Sequence, residues 1–135
     1  MARRVLTAAC LAAAALVATG CGSEAVKVAE SDPTHQGAEL FAEKCGGCHT
    51  LTAAGTQGSA QEVADRERTD GPNFDARQED EADVLFAIAN GGFSGAIMPE
   101  NIVTGAEAQA VAKFLAKYSG KQETAGQSKG PGSGG

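Results

Sequence analysis

This chain of 135 residues contains the run Cys45-Gly46-Gly47-Cys48-His49. No other feature of the sequence restricts the possible folds as strongly. Two thiols three positions apart, directly followed by an imidazole, have the spacing of a c-type haem attachment. The thiols can reach two vinyl groups on one edge of a porphyrin, and the next residue places its ring under the iron. The lack of side chains at Gly46 and Gly47 predicts that the chain lies against the macrocycle there. The sequence therefore predicts one haem c, bound covalently through Cys45 and Cys48, with His49 as an iron ligand.

Three other kinds of site use paired cysteines, and the chain fits each of them less well. A zinc site needs four ligands, but the chain has no second Cys-x-x-Cys pair, and His35 is the only other histidine. A thioredoxin-like redox pair needs a βαβ setting, for which no strand pattern is present. A disulfide between Cys45 and Cys48 closes too short a loop to stabilise the fold much. Haem attachment is thus the preferred interpretation.

A second axial ligand for the iron is predicted at Met98, the only methionine after the initiator. Met98 follows the glycine-rich residues 91–95 and precedes Pro99, and such a loop can turn a thioether toward a buried metal. One histidine and one methionine would fill both axial positions of the iron. A methionine that fills a gap in the core is the alternative interpretation. His35 is the rival ligand, but it lies beside the predicted tether and is expected to be solvated.

The amino terminus has the pattern of an export signal that ends at a lipid-modified cysteine. Arg3 and Arg4 precede the uncharged residues 5–18, a stretch too short to span a bilayer comfortably. The small residues before Cys21 resemble a bacterial lipobox, in which the cysteine is acylated and becomes the first mature residue. We therefore expect residues 1–20 to be a lipoprotein-type signal peptide and Cys21 to carry the lipid. Ordinary secretory cleavage and an uncleaved N-terminal anchor are the alternatives.

The rest of the chain divides into a tether, one small domain and a tail. Residues 21–33 show no apolar periodicity and are predicted to be a flexible tether. Residues 120–135 contain six glycines and a single apolar residue, too little to offset the entropy of ordering, and are expected to be disordered. Residues 34–119 remain as the folded domain. A single domain of this size is too small for the chain to be a multi-domain enzyme. Domains this small often need a cofactor for stability.

The charge of the chain is acidic, with a formal net charge of −6. Removal of Arg3 and Arg4 with the signal would leave −8, and this balance argues against nucleic acid as a partner. Residues 62–83 hold nine acidic side chains and three arginines. Because charges around a docking edge steer encounter, we expect redox partner proteins with basic docking surfaces.

Apolar periodicity predicts a mostly helical domain. A start signal at residues 32–33 begins a first helix that runs toward Lys44. Another helix is expected from the acidic residues 79–81 to residues 90–92, and the last helix opens with a capping box at Thr104. No window alternates like a β-strand.

Residues 34–119 resemble a class I, mono-haem cytochrome c domain. Gly37 and Phe41 are similar to the glycine and the aromatic residue of that family's first helix. Residues 71–74, Gly-Pro-Asn-Phe, resemble its G-P-x-L turn, with phenylalanine in place of leucine. The resemblance implies an all-α, small cytochrome c fold of three to five helices packed around one covalently bound haem.

The resemblance also implies two contacts. The carbonyl of Pro72 would accept the Nδ1 hydrogen of His49 and orient that ring. Phe114, in the last helix, would meet the face formed by Gly37 and Phe41, because the terminal helices cross in the family.

These features predict an electron-transfer protein, not an enzyme, that shuttles single electrons in a membrane-associated respiratory chain. With His49 and Met98 on the iron, no position is left for a substrate. The export pattern and Cys21 predict a lipid-anchored protein on the outer face of the bacterial cytoplasmic membrane. A haem-based enzyme subunit or small-ligand sensor with an open distal site is the alternative, and a haem-free structural lipoprotein is a third interpretation.

Overall fold

The computed structural model describes residues 24–60, 63–93 and 97–121 of the chain. In this part of the chain the regular structure is mostly helical, and the helices are α1 (His35–Lys44), α2 (Glu81–Asn90) and α3 (Gly105–Tyr118). The prediction of a small all-α fold is confirmed. The predicted signal peptide, Cys21 and nearly all of the predicted tail lie outside the described residues. Within them, no helix is both long enough and apolar enough to cross a bilayer.

The ends of α2 follow from local sequence signals. Asp80 is the N-cap residue, and its side chain accepts a hydrogen bond from the N–H of Asp83 at 2.9 Å. Gly91 follows the helix with φ 67°, a left-handed conformation that glycine adopts without strain. Thr104 is the N-cap residue of α3 as predicted, but its side chain makes no capping hydrogen bond. The start of the last helix is therefore predicted correctly, whereas its capping box does not form.

The first and last helices cross at Gly37, where there is no room for a side chain. A Cβ at Gly37 would collide with the carbonyl oxygen of Ala110 and lie 2.8 Å from the Cβ of Phe114. Phe114 is fully buried, and its ring centre lies 5.8 Å from that of Phe41. The contact of Phe114 with the Gly37 and Phe41 face is thus present, as the resemblance implies. This crossing fixes the direction in which the chain leaves α1 toward Cys45.

A short antiparallel hairpin follows the histidine of the motif. Strand β1 (Thr50–Leu51) pairs with strand β2 (Thr56–Gln57), and a 3-10 turn at Thr52–Ala54 joins them. The Thr50 hydroxyl donates to the carbonyl of Ser59 at 3.0 Å and accepts from its N–H at 3.0 Å, which fastens the chain beyond the hairpin. The sequence does not predict these strands, because two residues are too few to show alternation.

Part of the segment predicted as a tether contacts the domain. Val28 is buried, and the N–H of Lys27 donates to the carbonyl of Ala53 at 3.0 Å. The contacts of this segment come from scattered apolar side chains and backbone groups, which leave no periodicity to detect in the sequence. The packed part of the chain therefore begins ahead of residue 34.

Candidate functional site

The three side chains of the Cys-x-x-Cys-His motif leave the end of α1 on one tight turn. Cys45 is the C-cap residue, and its N–H donates to the Phe41 carbonyl at 2.8 Å. The N–H groups of Cys48 and His49 donate to the carbonyl of Cys45 at 3.1 and 3.0 Å. Cys45 is half-buried, Cys48 is exposed, and both are free thiols. The structure thus brings two thiols and an imidazole together.

The turn formed by residues 71–74 holds this motif from the other side. The N–H of Gly71 donates to the carbonyl of Cys48 at 2.7 Å, and the N–H of Phe74 donates to the carbonyl of Thr50 at 2.9 Å. These bonds flank the histidine on both sides along the chain. The backbone around the imidazole is therefore anchored independently of the side chain.

His49 takes its orientation from Pro72. Its Nδ1 donates to the carbonyl oxygen of Pro72 at 3.1 Å, which is the hydrogen bond that the resemblance implies. A proton held on Nδ1 leaves the lone pair on Nε2, the ring atom that is then available to a metal. Burial lowers the pKa of His49, and the Pro72 bond opposes that shift, so the ring is neutral near pH 7.

Two aromatic rings and one glycine surround the imidazole. The Phe74 ring stacks on His49 with 4.8 Å between ring centres and 14° between planes, and Phe41 lies 6.3 Å away in a tilted arrangement. The backbone of Gly71 lies so close that a Cβ there would be 2.7 Å from Nε2, nearer than real Cβ atoms approach. The stack of Phe74 on His49 was not predicted from the sequence. The phenylalanine in place of leucine in the 71–74 turn was the available signal.

The two glycines between the cysteines have different surroundings. A Cβ at Gly46 would lie 2.6 Å from the carbonyl oxygen of Ala42 and 2.6 Å from Cγ2 of Thr56. A Cβ at Gly47 would meet no atom of the described residues within 4 Å. Protein atoms already crowd the place of a side chain at Gly46, so packing within the protein by itself requires a glycine there, and contact with a macrocycle stays a prediction for both glycines. Only Gly47 faces open space.

Met98 lies on the loop between α2 and α3, half-buried against the hydrophobic core. Its Sδ is 4.0 Å from the place that a Cβ would take at Gly92, whose φ is 86°. A side chain at residue 92 would therefore be in ordinary van der Waals contact with the thioether, and it is the positive φ that favours glycine there. Met98 belongs to a different segment from the Cys-x-x-Cys-His turn, and its role as the second iron ligand stays a prediction.

The rival ligand His35 lies at the opposite end of α1 from the cysteines. Ten helical positions separate it from Cys45, about 15 Å along the axis. Its Nδ1 donates to the carbonyl of Val28 at 2.9 Å, and its Nε2 lies 3.4 Å from the carboxylate of Glu39. His35 is thus partly buried, where we expected it to be solvated. It fastens the N-terminal segment to α1.

The acidic side chains near the 71–74 turn divide into structural and surface groups. Asp75 is buried, and its carboxylate accepts from the N–H and the hydroxyl of Thr52 at 2.8 and 2.7 Å. Asp70 accepts from the N–H groups of Ala60 and Glu67 at 3.1 Å each. Asp75 therefore ties the hairpin to the turn and is not a steering charge.

The residues of this site fit a covalently bound haem. Burial, with a further contribution from the charge of Cys48, raises the pKa of the Cys45 thiol to about 11. The Cys45 thiol is therefore protonated near neutral pH. The neutral imidazole with its lone pair on Nε2, directly after two free thiols, suits an iron porphyrin held at its edge.

Comparison with known proteins identifies one family. The family described as "Cytochrome C oxidase, cbb3-type, subunit III" matches residues 32–115, more than half of the chain. This range contains the Cys-x-x-Cys-His motif, the 71–74 turn and Met98. No curated protein matches the chain.

Proposed function

The chain belongs to the cytochrome c oxidase, cbb3-type, subunit III family, and from this premise we propose that it is an electron-transfer protein with one haem c. In this proposal Cys45 and Cys48 hold the haem by thioether bonds, and His49 and Met98 are its axial ligands. The protein is not itself an enzyme, because both axial positions are filled.

One observation carries the proposal, the hydrogen bond from Nδ1 of His49 to the Pro72 carbonyl at 3.1 Å. It selects the tautomer whose Nε2 can bind iron, on the residue that directly follows the thiol of Cys48. Neither a disulfide nor a packing histidine requires that combination of free thiols and an oriented imidazole.

In this proposal each residue of the site has a separate role in electron transfer. Bound haem c supplies an iron that takes up one electron as Fe(III) and releases it as Fe(II). His49 donates the lone pair of Nε2, and Pro72 keeps the ring in that tautomer and raises its basicity. The thioether of Met98 raises the reduction potential. Cys45 and Cys48 keep the haem attached in both oxidation states.

The alternative is a haem-based enzyme subunit or small-ligand sensor, which needs an open position on the iron. The packing of Met98 against the hydrophobic core supports the electron carrier, because a half-buried thioether has a defined place. Pro99 restricts the backbone directly after it.

We further propose that a lipid on Cys21 anchors the domain to the outer face of the bacterial cytoplasmic membrane. The described chain starts at Glu24, whose carbonyl already lies against Gly55. Three residues reach at most about 10 Å, so the domain would stay close to the lipid headgroups. Cys21→Ser is expected to move the protein to the soluble fraction with an unchanged spectrum. Attachment that persists at high salt would favour an uncleaved N-terminal anchor.

The partners in this proposal are redox proteins of the membrane electron-transport chain with basic docking surfaces. Asp65 and Glu67 are exposed on the segment that leads into the 71–74 turn. Charges in that position act mainly on the rate of encounter.

Extraction of the denatured protein with acidified organic solvent tests the proposed attachment. We expect one haem per chain to stay with the wild-type polypeptide and to be extracted from a Cys45→Ser, Cys48→Ser double variant. Cys21→Ser is the matched control and is expected to retain its haem. A wild-type protein that binds no haem, or loses it on extraction, contradicts the proposal.

A further inference from the structure

We propose that Phe74 is a positioning residue that sets the plane of the His49 imidazole relative to the haem. The inference rests on the proposed function, since it concerns the ring that would ligate the iron. It concerns a residue at which this chain departs from the G-P-x-L turn that it resembles.

The stack between the two rings is close and nearly parallel. The ring centres of Phe74 and His49 lie 4.8 Å apart, and the planes differ by 14°. Phe74 is buried, and Phe41 contacts it edge-on with 5.9 Å between ring centres. The Phe74 ring therefore has a neighbour that holds it against the imidazole.

The backbone of Phe74 is held on both sides. Its N–H donates to the Thr50 carbonyl at 2.9 Å, and its carbonyl accepts from the N–H of Gly120 at 2.8 Å. These bonds tie residue 74 to the hairpin and to the end of α3. The backbone position of residue 74 is therefore fixed, and burial with the edge-on contact to Phe41 restricts rotation of the ring itself.

Pro72 and Phe74 restrain different motions of the imidazole. A single hydrogen bond at Nδ1 fixes one point of the ring and still permits the ring to tilt about the line to the Pro72 carbonyl. A flat side chain packed on the imidazole face opposes that tilt, because tilting would drive ring atoms into one another. A leucine at this position has no flat face and would permit a range of tilts.

The plane of an axial imidazole is visible in the ferric state. Its π orbitals interact with the iron d orbitals according to their relative direction, so the plane affects the electron paramagnetic resonance g values. The same orientation sets the paramagnetic shifts of the His49 ring protons in nuclear magnetic resonance. A residue that only stabilised the fold would leave both signatures unchanged.

The test compares ferric holoproteins carrying Phe74→Leu, Phe74→Tyr and Phe114→Leu. Phe114→Leu is the matched control, because Phe114 also packs on Phe41 and is also buried, but the structure stacks Phe74 and not Phe114 on the imidazole. We expect Phe74→Leu to shift and broaden the g values and to move the His49 ring signals. Phe74→Tyr, which keeps the flat ring, and Phe114→Leu should both retain the wild-type signatures.

Wild-type g values and ring shifts in Phe74→Leu would overturn the proposal, as would equal changes in Phe114→Leu. If Phe74→Leu does not bind haem, nuclear Overhauser contacts between the Phe74 and His49 rings in the reduced wild-type protein test the proposal instead. Their absence would overturn it. A wild-type protein without haem refutes the proposed function instead, and the same contacts then test the stack alone.

Discussion

The hydroxyl of Tyr118 donates a hydrogen bond to the carboxylate of Asp32 at 2.7 Å, although 86 residues separate them. Nζ of Lys117 donates to the same oxygen at 2.6 Å, and the N–H and hydroxyl of Thr34 donate to the other oxygen at 2.8 and 2.7 Å. One carboxylate thus ties the start of α1 to the end of α3. These donors, with Lys117 the largest cause, hold the pKa of Asp32 well below its ordinary value of 3.8.

Asp32→Asn is expected to lower the melting temperature. It is also expected to remove the part of the free energy of unfolding that the wild type loses in acid. Because the carboxyl pKa is lower in the folded state than in the unfolded state, its contribution is complete above the unfolded pKa of 3.8. It is lost as the pH falls below that value, so wild type and variant should differ most near neutral pH. Thermal unfolding from about pH 7 to about pH 2 measures this, with the exposed Glu30→Gln as the control. The same difference at every pH would show that the Asp32 charge is not involved.

Gly37→Ala sets helix propensity against the close crossing of α1 and α3. Propensity alone would stabilise the helix by about 1 kcal/mol. The added Cβ would collide with Ala110 and Phe114, and overpacking of a core typically costs about 1–3 kcal/mol. We expect the collision to dominate, with a lower free energy of unfolding in denaturant titrations. Gln36→Ala, at an exposed position, should change it by less than about 0.5 kcal/mol, and a stabilised Gly37→Ala would refute the crossing.

The two glycines of the motif should respond differently to alanine. Gly46→Ala would press on Ala42 and Thr56 and is expected to lower the stability by about 1–3 kcal/mol. The added Cβ of Gly47→Ala would meet no atom of residues 24–60, 63–93 and 97–121, so this variant should stay within about 0.5 kcal/mol of wild type. The melting temperatures of the two holoproteins measure the difference. A larger loss in Gly47→Ala would mean that the macrocycle, and not Thr56, is what demands a glycine.

Features with a local signal could be predicted from the sequence. The starts and ends of the helices follow from apolar periodicity and from residues such as Gly91, whose positive φ suits glycine. At these ends a few neighbouring residues determine the outcome. The bond from His49 to Pro72 and the contact of Phe114 with Gly37 join residues far apart in sequence, and they were implied by the resemblance to a cytochrome c domain.

Features that depend on distant partners, and that the family resemblance did not imply, could not be predicted. Asp75 resembled other surface acids in the sequence, and only the approach of Thr52 makes it a buried anchor. Val28 docks and Phe74 stacks because segments far apart in sequence meet in the fold. Composition and periodicity do not indicate which distant segments come into contact.

Substitutions that remove the negative charges of Asp65 and Glu67 are expected to weaken electrostatic steering. With the cation hexaammineruthenium(II) as reductant, Asp65→Asn with Glu67→Gln should slow reduction of the ferric haem and lessen its dependence on salt. The distance over which charges act in solution shortens to about 8 Å at physiological ionic strength, so the wild-type rate should drop as salt rises. Glu30→Gln with Glu39→Gln removes the same charge from the start of α1 and is the control. Equal wild-type rates at low and high salt would refute steering and favour tethering beside a membrane complex as the means of encounter.

The far-red absorption band of the ferric protein, which arises from charge transfer between sulfur and iron, tests the central claim most directly. The thioether of Met98 is the predicted ligand, so the wild type should show the band, and Met98→Ala should lose it and bind added imidazole. Covalent haem should remain in that variant, because Cys45 and Cys48 are untouched, and His35→Ala should keep the wild-type spectrum. A Met98→Ala spectrum identical to that of the wild type, or loss of the band in His35→Ala, would contradict ligation of the iron by His49 and Met98.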